Sequence, residues 1–117
     1  MLVSMAIDNE TMRAYRFVAD MVRDAYFPDA EVNKVQAVLH ELCERIEAER
    51  PKTLAELYPL THAATERIND LQNDFADAGS EIKTGARESI AADFVAIAKA
   101  YGFDDADTEE LIAPRDW

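Results

Sequence analysis

The chain has 117 residues, of which 49% are hydrophobic and 31% are charged, proportions that suit one globular domain and are too apolar for intrinsic disorder. Twenty-four acidic residues against twelve basic ones give a net charge of -12. A field of this sign repels nucleic acids and anionic membranes, so both are excluded as expected partners, and it favours cations or a basic protein.

The cysteine count and the first residues indicate the compartment. Cys43 is the only cysteine, so no disulfide can form within the chain. Residues 1–7 lack the basic start and long apolar run of a secretion signal, and no apolar stretch reaches the roughly 20 residues that span a bilayer. We therefore expect a cytoplasmic protein.

After a short lead-in, residues 1–7, a first long helix is predicted from Asp8 or Asn9 to Tyr26, before Pro28. Its apolar residues cover more than half of its circumference. They are Met12, Tyr15, Ala19, Val22 and Tyr26 in one stripe, Val18, Met21 and Ala25 beside it, and Phe17 on nearly the opposite side. Such a helix either lies at the centre of the domain or is covered by a second copy of the chain, so a homodimer through this helix is an open alternative.

A second long helix is predicted from Ala30 to Glu49, with Asp29 as its N-cap and Pro51 closing it. The next residues, Thr53-Leu-Ala-Glu56, match the capping-box pattern, in which the hydroxyl and the carboxylate each accept a backbone N–H. A short turn of helix is expected there, ending at Pro59.

A third long helix is predicted to begin with Thr61 as N-cap and to run to Ala78, where Gly79 suits a left-handed C-terminal cap. Apolar residues recur every three or four positions along it and predict a narrow face packed into the core. They are Leu60, Ala64, Ile68, Leu71, Phe75 and Ala78.

Ser80 and Lys83 are predicted to open a fourth long helix that ends at Tyr101 before Gly102, and a short helix should follow from Thr108 to Ala113. No stretch alternates with period two for long enough to make a strand. The sequence therefore predicts an all-α single domain, residues 1–117, built as an antiparallel bundle of about four long helices plus one or two short ones.

The outer face of the third helix collects the densest group of polar side chains and is the predicted binding surface. Its members are His62, Glu66, Asn69, Asp70, Asn73, Asp74 and Asp77. Like charges three or four residues apart repel one another on a helix. The face is therefore either a solvated surface or a docking surface for a basic protein.

A metal site is the alternative use of the same region. His40 with Glu44, and His62 with Glu66, are i, i+4 pairs that can chelate a divalent ion, although their helical phase points them away from the core. Glu41-Leu-Cys-Glu44 and Asp74-Phe-Ala-Asp77 are similar to the paired acidic motifs that hold Mg²⁺ in all-helical nucleotide pyrophosphohydrolases. The ligands in this alternative are Glu41, Glu44, His62, Glu66, Asp74 and Asp77.

Two charged residues flank the apolar stripe of the fourth helix. Arg87 lies about 60° from the centre of that stripe, taking the helical period of 3.6 residues, and Asp93 flanks its other side. A partly buried guanidinium needs a carboxylate. We therefore predict a structural ion pair of Arg87 with Asp93, with a ligand anchor at Arg87 as the alternative.

Several short motifs occur together in this chain: Leu60-Thr-His-Ala-Ala-Thr-Glu66, Gly79-Ser-Glu-Ile82, Ala86-Arg-Glu88, Asp93-Phe94, Tyr101-Gly-Phe-Asp104, Glu109-Glu-Leu-Ile-Ala113 and Arg115-Asp-Trp117. Over roughly Tyr26 to Trp117 they resemble a bacterial family of short acidic proteins, domain of unknown function 5713. The chain has Lys83 where that pattern has Glu, and Pro114 where it has another residue. The resemblance implies a bacterial cytoplasmic origin, and the family name does not indicate an activity. It also implies a signature that contains His62, Glu66, Asn69, Arg87 and Asp93.

Two functions follow as expectations. The first is a non-enzymatic interaction module of inhibitor or immunity type, without a cofactor, that covers a basic partner protein through the predicted binding surface. The alternative is a small all-helical metal-dependent hydrolase, similar to a nucleotide pyrophosphohydrolase. Sequence alone leaves the question of an enzyme open and inclines against one.

Overall fold

The computed structural model describes residues 7–117, so the predicted lead-in lies outside the described residues except for Ile7, which is buried. Over this range the chain forms six helices and no strand. They are α1 Glu10–Ala14, α2 Ala19–Arg23, α3 Asp29–Glu49, α4 Leu54–Asp77, α5 Thr84–Ala100 and α6 Thr108–Leu111. The prediction of an all-α helical bundle is confirmed.

The predicted first long helix is wrong, because the chain breaks between α1 and α2. Tyr15 is extended, and Val18 adopts the left-handed conformation with φ 46° and ψ 46°, which is costly for a β-branched residue. The break turns Phe17 into the core together with Met12 and Met21. One straight helix cannot bury apolar residues on opposite sides against a single core, and two short helices can.

The same break exposes two residues that the stripe placed inside. Val22 is 52% exposed and Tyr26 is 40% exposed. Lys83 Nζ lies 4.7 Å from the centre of the Tyr26 ring, a cation–π contact. The apolar periodicity of this segment therefore marked Met12 correctly as buried but failed at Val22 and Tyr26.

Helix α4 is one continuous element, whereas a short helix ending at Pro59 and a separate helix capped by Thr61 were predicted. Thr53 is its N-cap, and its hydroxyl accepts the N–H of Glu56 at 3.2 Å. Pro59 removes one backbone hydrogen bond in the second turn, but Leu57 and the residues after it bury the same face in the core. Thr61 is buried inside the helix and caps nothing.

The glycine caps are confirmed. Gly79 has φ +80° after α4, and Ser80 N donates to Phe75 O at 2.8 Å, the bond that defines a Schellman motif. Gly102, with φ +92°, ends α5 with the same pattern, in which Phe103 N donates into the last turn of the helix at 2.8 Å. Glycine is favoured at both positions because the left-handed conformation strains a side chain with a Cβ.

The predicted start of the fourth helix is corrected by a few residues. Helix α5 begins at Thr84 with Lys83 as its N-cap, and Ser80 is buried, donating its hydroxyl to Tyr26 O at 3.0 Å. Within the bundle, α3 packs mainly against α4, and α2 packs against α5. No helix in residues 7–117 has the length and apolar character needed to cross a membrane.

Candidate functional site

One side of α4 binds the chain's own C-terminal segment, defined here as residues 108–117. His62 Nε2 lies 2.6 Å from Glu110 O. Because a carbonyl only accepts, this contact requires the proton on Nε2. Asn69 donates to Pro114 O at 3.0 Å and accepts the N–H of Asp116 at 3.0 Å. Two residues of the predicted binding surface are therefore engaged within the chain.

One further hydrogen bond holds the same segment, from Gln72 Nε2 to the side chain of Asp116. Thr65 is buried beside the segment, 3.5 Å from Leu111 O, and donates its hydroxyl within α4 to Thr61 O at 2.8 Å. The predicted short helix is present as α6, capped by Asp107, whose carboxylate accepts the N–H of Glu109 at 2.8 Å. The polar periodicity of α4 on this side serves internal packing.

The outward side of α4 carries what we call the acidic face, made of Glu66, Asp70, Asn73 and Asp77. All four residues are exposed. Among the described residues, no ion pair involves any of the three carboxylates. This part of the predicted binding surface is free for an external partner.

The third side of α4 faces α3 and is paired. Asp74 accepts Lys34 Nζ at 2.9 Å, and Lys34 also reaches Glu31 at 3.3 Å. The hydrogen bond to Asp74, followed by that to Glu31, raises the pKa of Lys34. Arg67 pairs with Glu41 across the same boundary. Asp74 therefore belongs to the contact between α3 and α4 and is not part of the acidic face.

The ligands of the metal alternative do not come together. Glu44 lies 3.5 Å from His40, while His62 is held by the C-terminal segment. Across residues 7–117, no group of three or more His, Cys, Asp or Glu side chains is placed to hold a metal ion. The structure thus gives the hydrolase alternative no metal centre in the described part of the chain.

The predicted ion pair between Arg87 and Asp93 is not formed. Arg87 is exposed, whereas Asp93 is only 4% exposed. The Asp93 carboxylate accepts Tyr15 OH at 2.7 Å and Val18 N at 2.5 Å. A long arginine at the edge of an apolar stripe can extend its charged end into water, so helical phase alone overstated its burial.

Burial and hydrogen bonding act in opposite directions on Asp93. Burial raises the pKa of the Asp93 carboxyl group, and the hydrogen bonds from Tyr15 and Val18 partly offset that rise. Burial, followed by the contact with Asp93, raises the pKa of the Tyr15 hydroxyl. The role of Asp93 is to hold the strained backbone of Val18, a role that sequence reasoning missed. Its one visible signal was a carboxylate beside an apolar stripe.

A cavity of about 330 Å³ lies between α2 and α5 beside Asp93, and we call it the α2–α5 cavity. Asp20 and Asp24 line it from one side, and Glu88 and Ser89 from the other. Sequence reasoning missed this cavity because its walls come from α2 and α5, which are far apart in the sequence.

Cys43 is buried as predicted and is a free thiol. Burial raises the pKa of the Cys43 thiol to about 12. A thiol with that pKa stays protonated near neutral pH and is a poor nucleophile. Cys43 therefore fills space in the core.

The fold and these contacts define a small all-helical protein with an exposed row of carboxylates on α4, unpaired within residues 7–117. A family model matches residues 11–117, nearly the whole chain, and its description is Family of unknown function (DUF5713). The chain belongs to this family, as its motifs indicated. Comparison with curated proteins found no match, and comparison with solved structures found none either.

Proposed function

We propose that this protein is a non-enzymatic interaction module that binds a basic partner protein through the acidic face. The observation that carries the proposal is the division of α4. The polar residues on both flanks are engaged by the C-terminal segment or by α3, whereas Glu66, Asp70 and Asp77 are exposed with no ion pair to a described residue. Like charges that are unpaired along one helix destabilise that helix by their repulsion, and a basic partner would relieve the repulsion.

The surroundings of the acidic face extend its negative field. Asn69 and Gln72 hold Asp116 beside the acidic face. Glu110 contacts His62, which lies one helical turn before Glu66 in α4. Charge of one sign over an extended surface speeds and orients the encounter with an oppositely charged protein. We propose the cytoplasm as the location, supported by a single buried cysteine.

An inhibitor or immunity protein is the form of module that this surface favours, since such a protein only needs to cover its partner. The α1–α2 segment is a less suitable interface for a homodimer, because Phe17 and Met21 are buried within the chain. Val22 and Tyr26 are the exposed apolar residues that such a dimer would have to use. The dimer stays a prediction that sedimentation of the purified chain can test.

The experiment compares three tagged forms as baits in cell extract: the wild type, Glu66→Lys with Asp70→Lys, and Asp104→Lys with Asp105→Lys. The control pair is also exposed and makes the same change in net charge on the loop after α5. We expect a basic protein that is retained by the wild type and by the control, and lost by the α4 pair. The affinity of this basic protein for the wild type, measured with both proteins purified, should fall as the salt concentration rises.

Equal loss with both charge-reversed pairs would show that only the total charge matters, and it would contradict a localised docking surface. Retention by the α4 pair would contradict it as well. Circular dichroism of each variant ensures that a loss of binding is not a loss of fold.

A further inference from the structure

We infer that the α2–α5 cavity is a binding site for an alkylammonium group, an amine-bearing aliphatic chain supplied either by a small diamine or by a lysine side chain. This site is separate from the acidic face and does not depend on the proposed function. Its volume, about 330 Å³, lies at the lower end of the roughly 300 to 1,000 Å³ that is typical of small-ligand sites.

The charge of the lining selects a cation. Four carboxyl groups line the cavity, those of Asp20, Asp24, Glu88 and Asp93, against one guanidinium, Arg16. Arg23 pairs with Asp20 at 2.5 Å, and Tyr15 and Val18 occupy Asp93. Within the described residues, Glu88 has no ion pair, and Asp24 uses one oxygen to accept Tyr26 N at 2.9 Å. Glu88 and Asp24 therefore retain unused acceptor capacity.

Ser89 gives an independent indication of a ligand. It is only 9% exposed, it lines the cavity, and its hydroxyl makes no hydrogen bond to another residue in the range 7–117. In that range, Trp117 Nε1 is the one enclosed side-chain nitrogen or oxygen atom without a partner. The Ser89 hydroxyl must therefore reach open space, and the cavity is that space. A hydroxyl can accept a hydrogen bond from an ammonium group.

The remaining walls suit an aliphatic chain. Ala19 and Met21 on α2, Phe27 after it, and Ala92 on α5 are apolar and line the same cavity. A divalent metal ion would use such a site poorly, because no three suitable ligands come together in the described residues. An amine on a short hydrocarbon chain matches both the acidic and the apolar parts of the lining.

The test measures binding to the full chain by nuclear magnetic resonance, with 1,4-diaminobutane as the small-molecule probe and an N-acetylated, C-amidated peptide containing one lysine as the protein-derived probe. The uncharged analogue 1,4-butanediol is the matched control ligand. At about 0.15 M salt, exposed charges are largely screened beyond roughly 8 Å. We expect saturable shifts of the Gly85, Glu88 and Ser89 amides with an amine and none with the diol.

The variant pair Asp24→Asn with Glu88→Gln removes the two available charges at almost constant shape, and asparagine can still accept Tyr26 N. It should weaken amine binding by about tenfold. The control pair Asp104→Asn with Asp105→Asn makes the same charge change elsewhere and should leave affinity within about twofold. Gly85→Leu should also weaken binding, since a Cβ at Gly85 meets no atom within 4 Å and the side chain can enter open space at the cavity wall.

The inference is overturned by the absence of saturable binding to either amine, by equal binding of the diol, or by equal effects of the two neutralised pairs. If only the diamine binds, the source of the group is a small molecule; if only the peptide binds, the source is a partner's lysine. Glu66→Lys with Asp70→Lys should keep amine binding, so failure of the acidic face leaves this result standing.

Discussion

The buried carboxylate of Asp93 decides whether the chain can keep its left-handed residue at Val18. Its two oxygens accept Val18 N at 2.5 Å and Tyr15 OH at 2.7 Å. Asp93→Ala leaves the buried Val18 N–H without a partner and should lower the free energy of unfolding by about 3 kcal/mol. Tyr15→Phe removes one hydrogen bond from a half-buried site and should cost about 1 kcal/mol. Urea unfolding followed by circular dichroism measures both free energies, and equal costs of the two substitutions would contradict the role of Asp93 in holding the backbone of Val18.

Glu47 ties the start of the described chain to α3 and α5. It accepts Asp8 N at 2.9 Å, Asn9 N at 3.0 Å and Tyr101 OH at 2.5 Å. Burial alone would raise the pKa of Glu47, but these hydrogen bonds, with a contribution from Arg13, outweigh burial and lower it. A folded-state pKa below the unfolded value means that the stabilisation is complete above about pH 4.3. It is lost as pH falls through the folded-state pKa.

Glu47→Gln should therefore lower the free energy of unfolding by about 1 kcal/mol at neutral pH, a modest value because the site is partly solvated. The difference from wild type should shrink as pH falls and the wild-type carboxyl group becomes protonated. Urea titrations at several pH values measure it. Glu81→Gln, at an exposed residue, should show little difference at any pH. A Glu47→Gln cost that stays constant with pH would contradict the charge-dependent role.

At the scale of elements, α4 persists through Pro59 because tertiary packing outweighs local preference. Pro59 is exposed, and alanine there would restore a hydrogen bond to Ala55 O and improve helix propensity. Without the proline ring the unfolded chain has more conformational freedom, which lowers the free energy of unfolding by about 0.4 to 1 kcal/mol. Pro59→Ala should therefore raise the free energy of unfolding by about 1 kcal/mol in urea titrations. As a control, Ala63→Gly in the same helix should lower the free energy of unfolding by a similar amount. A lower free energy of unfolding in Pro59→Ala would contradict this prediction and show that the proline ring itself stabilises the fold.

Several ends of the long helices were predictable because their signals are local. The ends of α4 and α5 depend on glycines with positive φ, and the start of α3 follows Pro28 directly. The break between α1 and α2 has no such signal. It depends on Asp93, which lies more than seventy residues away in the sequence, so no local pattern could reveal it.

The candidate sites were also only partly predictable, because local sequence patterns do not reveal long-range contacts. The polar face of α4 was visible in the sequence, but polarity does not say what a side chain binds. His62 and Asn69 contact backbone atoms of the C-terminal segment, whereas Glu66 and Asp70 face outward. The α2–α5 cavity depends on long-range packing, and the exposure of Arg87 depends on the length of its side chain. Helical phase supplies neither.

For the whole molecule, a net charge of -12 makes the folded state repel itself. Raising the NaCl concentration from about 0.05 M to about 0.5 M shortens the screening length from roughly 14 Å to roughly 4 Å. Salt screens both the repulsion between like charges and the attraction within exposed ion pairs such as Lys34 with Asp74. Because such pairs contribute little stability, the loss of repulsion dominates, and the melting temperature should rise by a few degrees. Differential scanning calorimetry measures the rise, and Asp104→Lys with Asp105→Lys should reduce it. A melting temperature that falls with salt would contradict net repulsion.

The docked C-terminal segment gives the protein a built-in optical reporter. Trp117 is the only tryptophan of the chain, it is 8% exposed, and the guanidinium of Arg115 lies 5.5 Å from the centre of its ring. Its fluorescence therefore reports the environment of one segment rather than an average over the molecule. Loosening that segment with Asn69→Ala should shift the emission to longer wavelength while the helical content is retained, so a spectrometer can distinguish release of the segment from unfolding of the bundle.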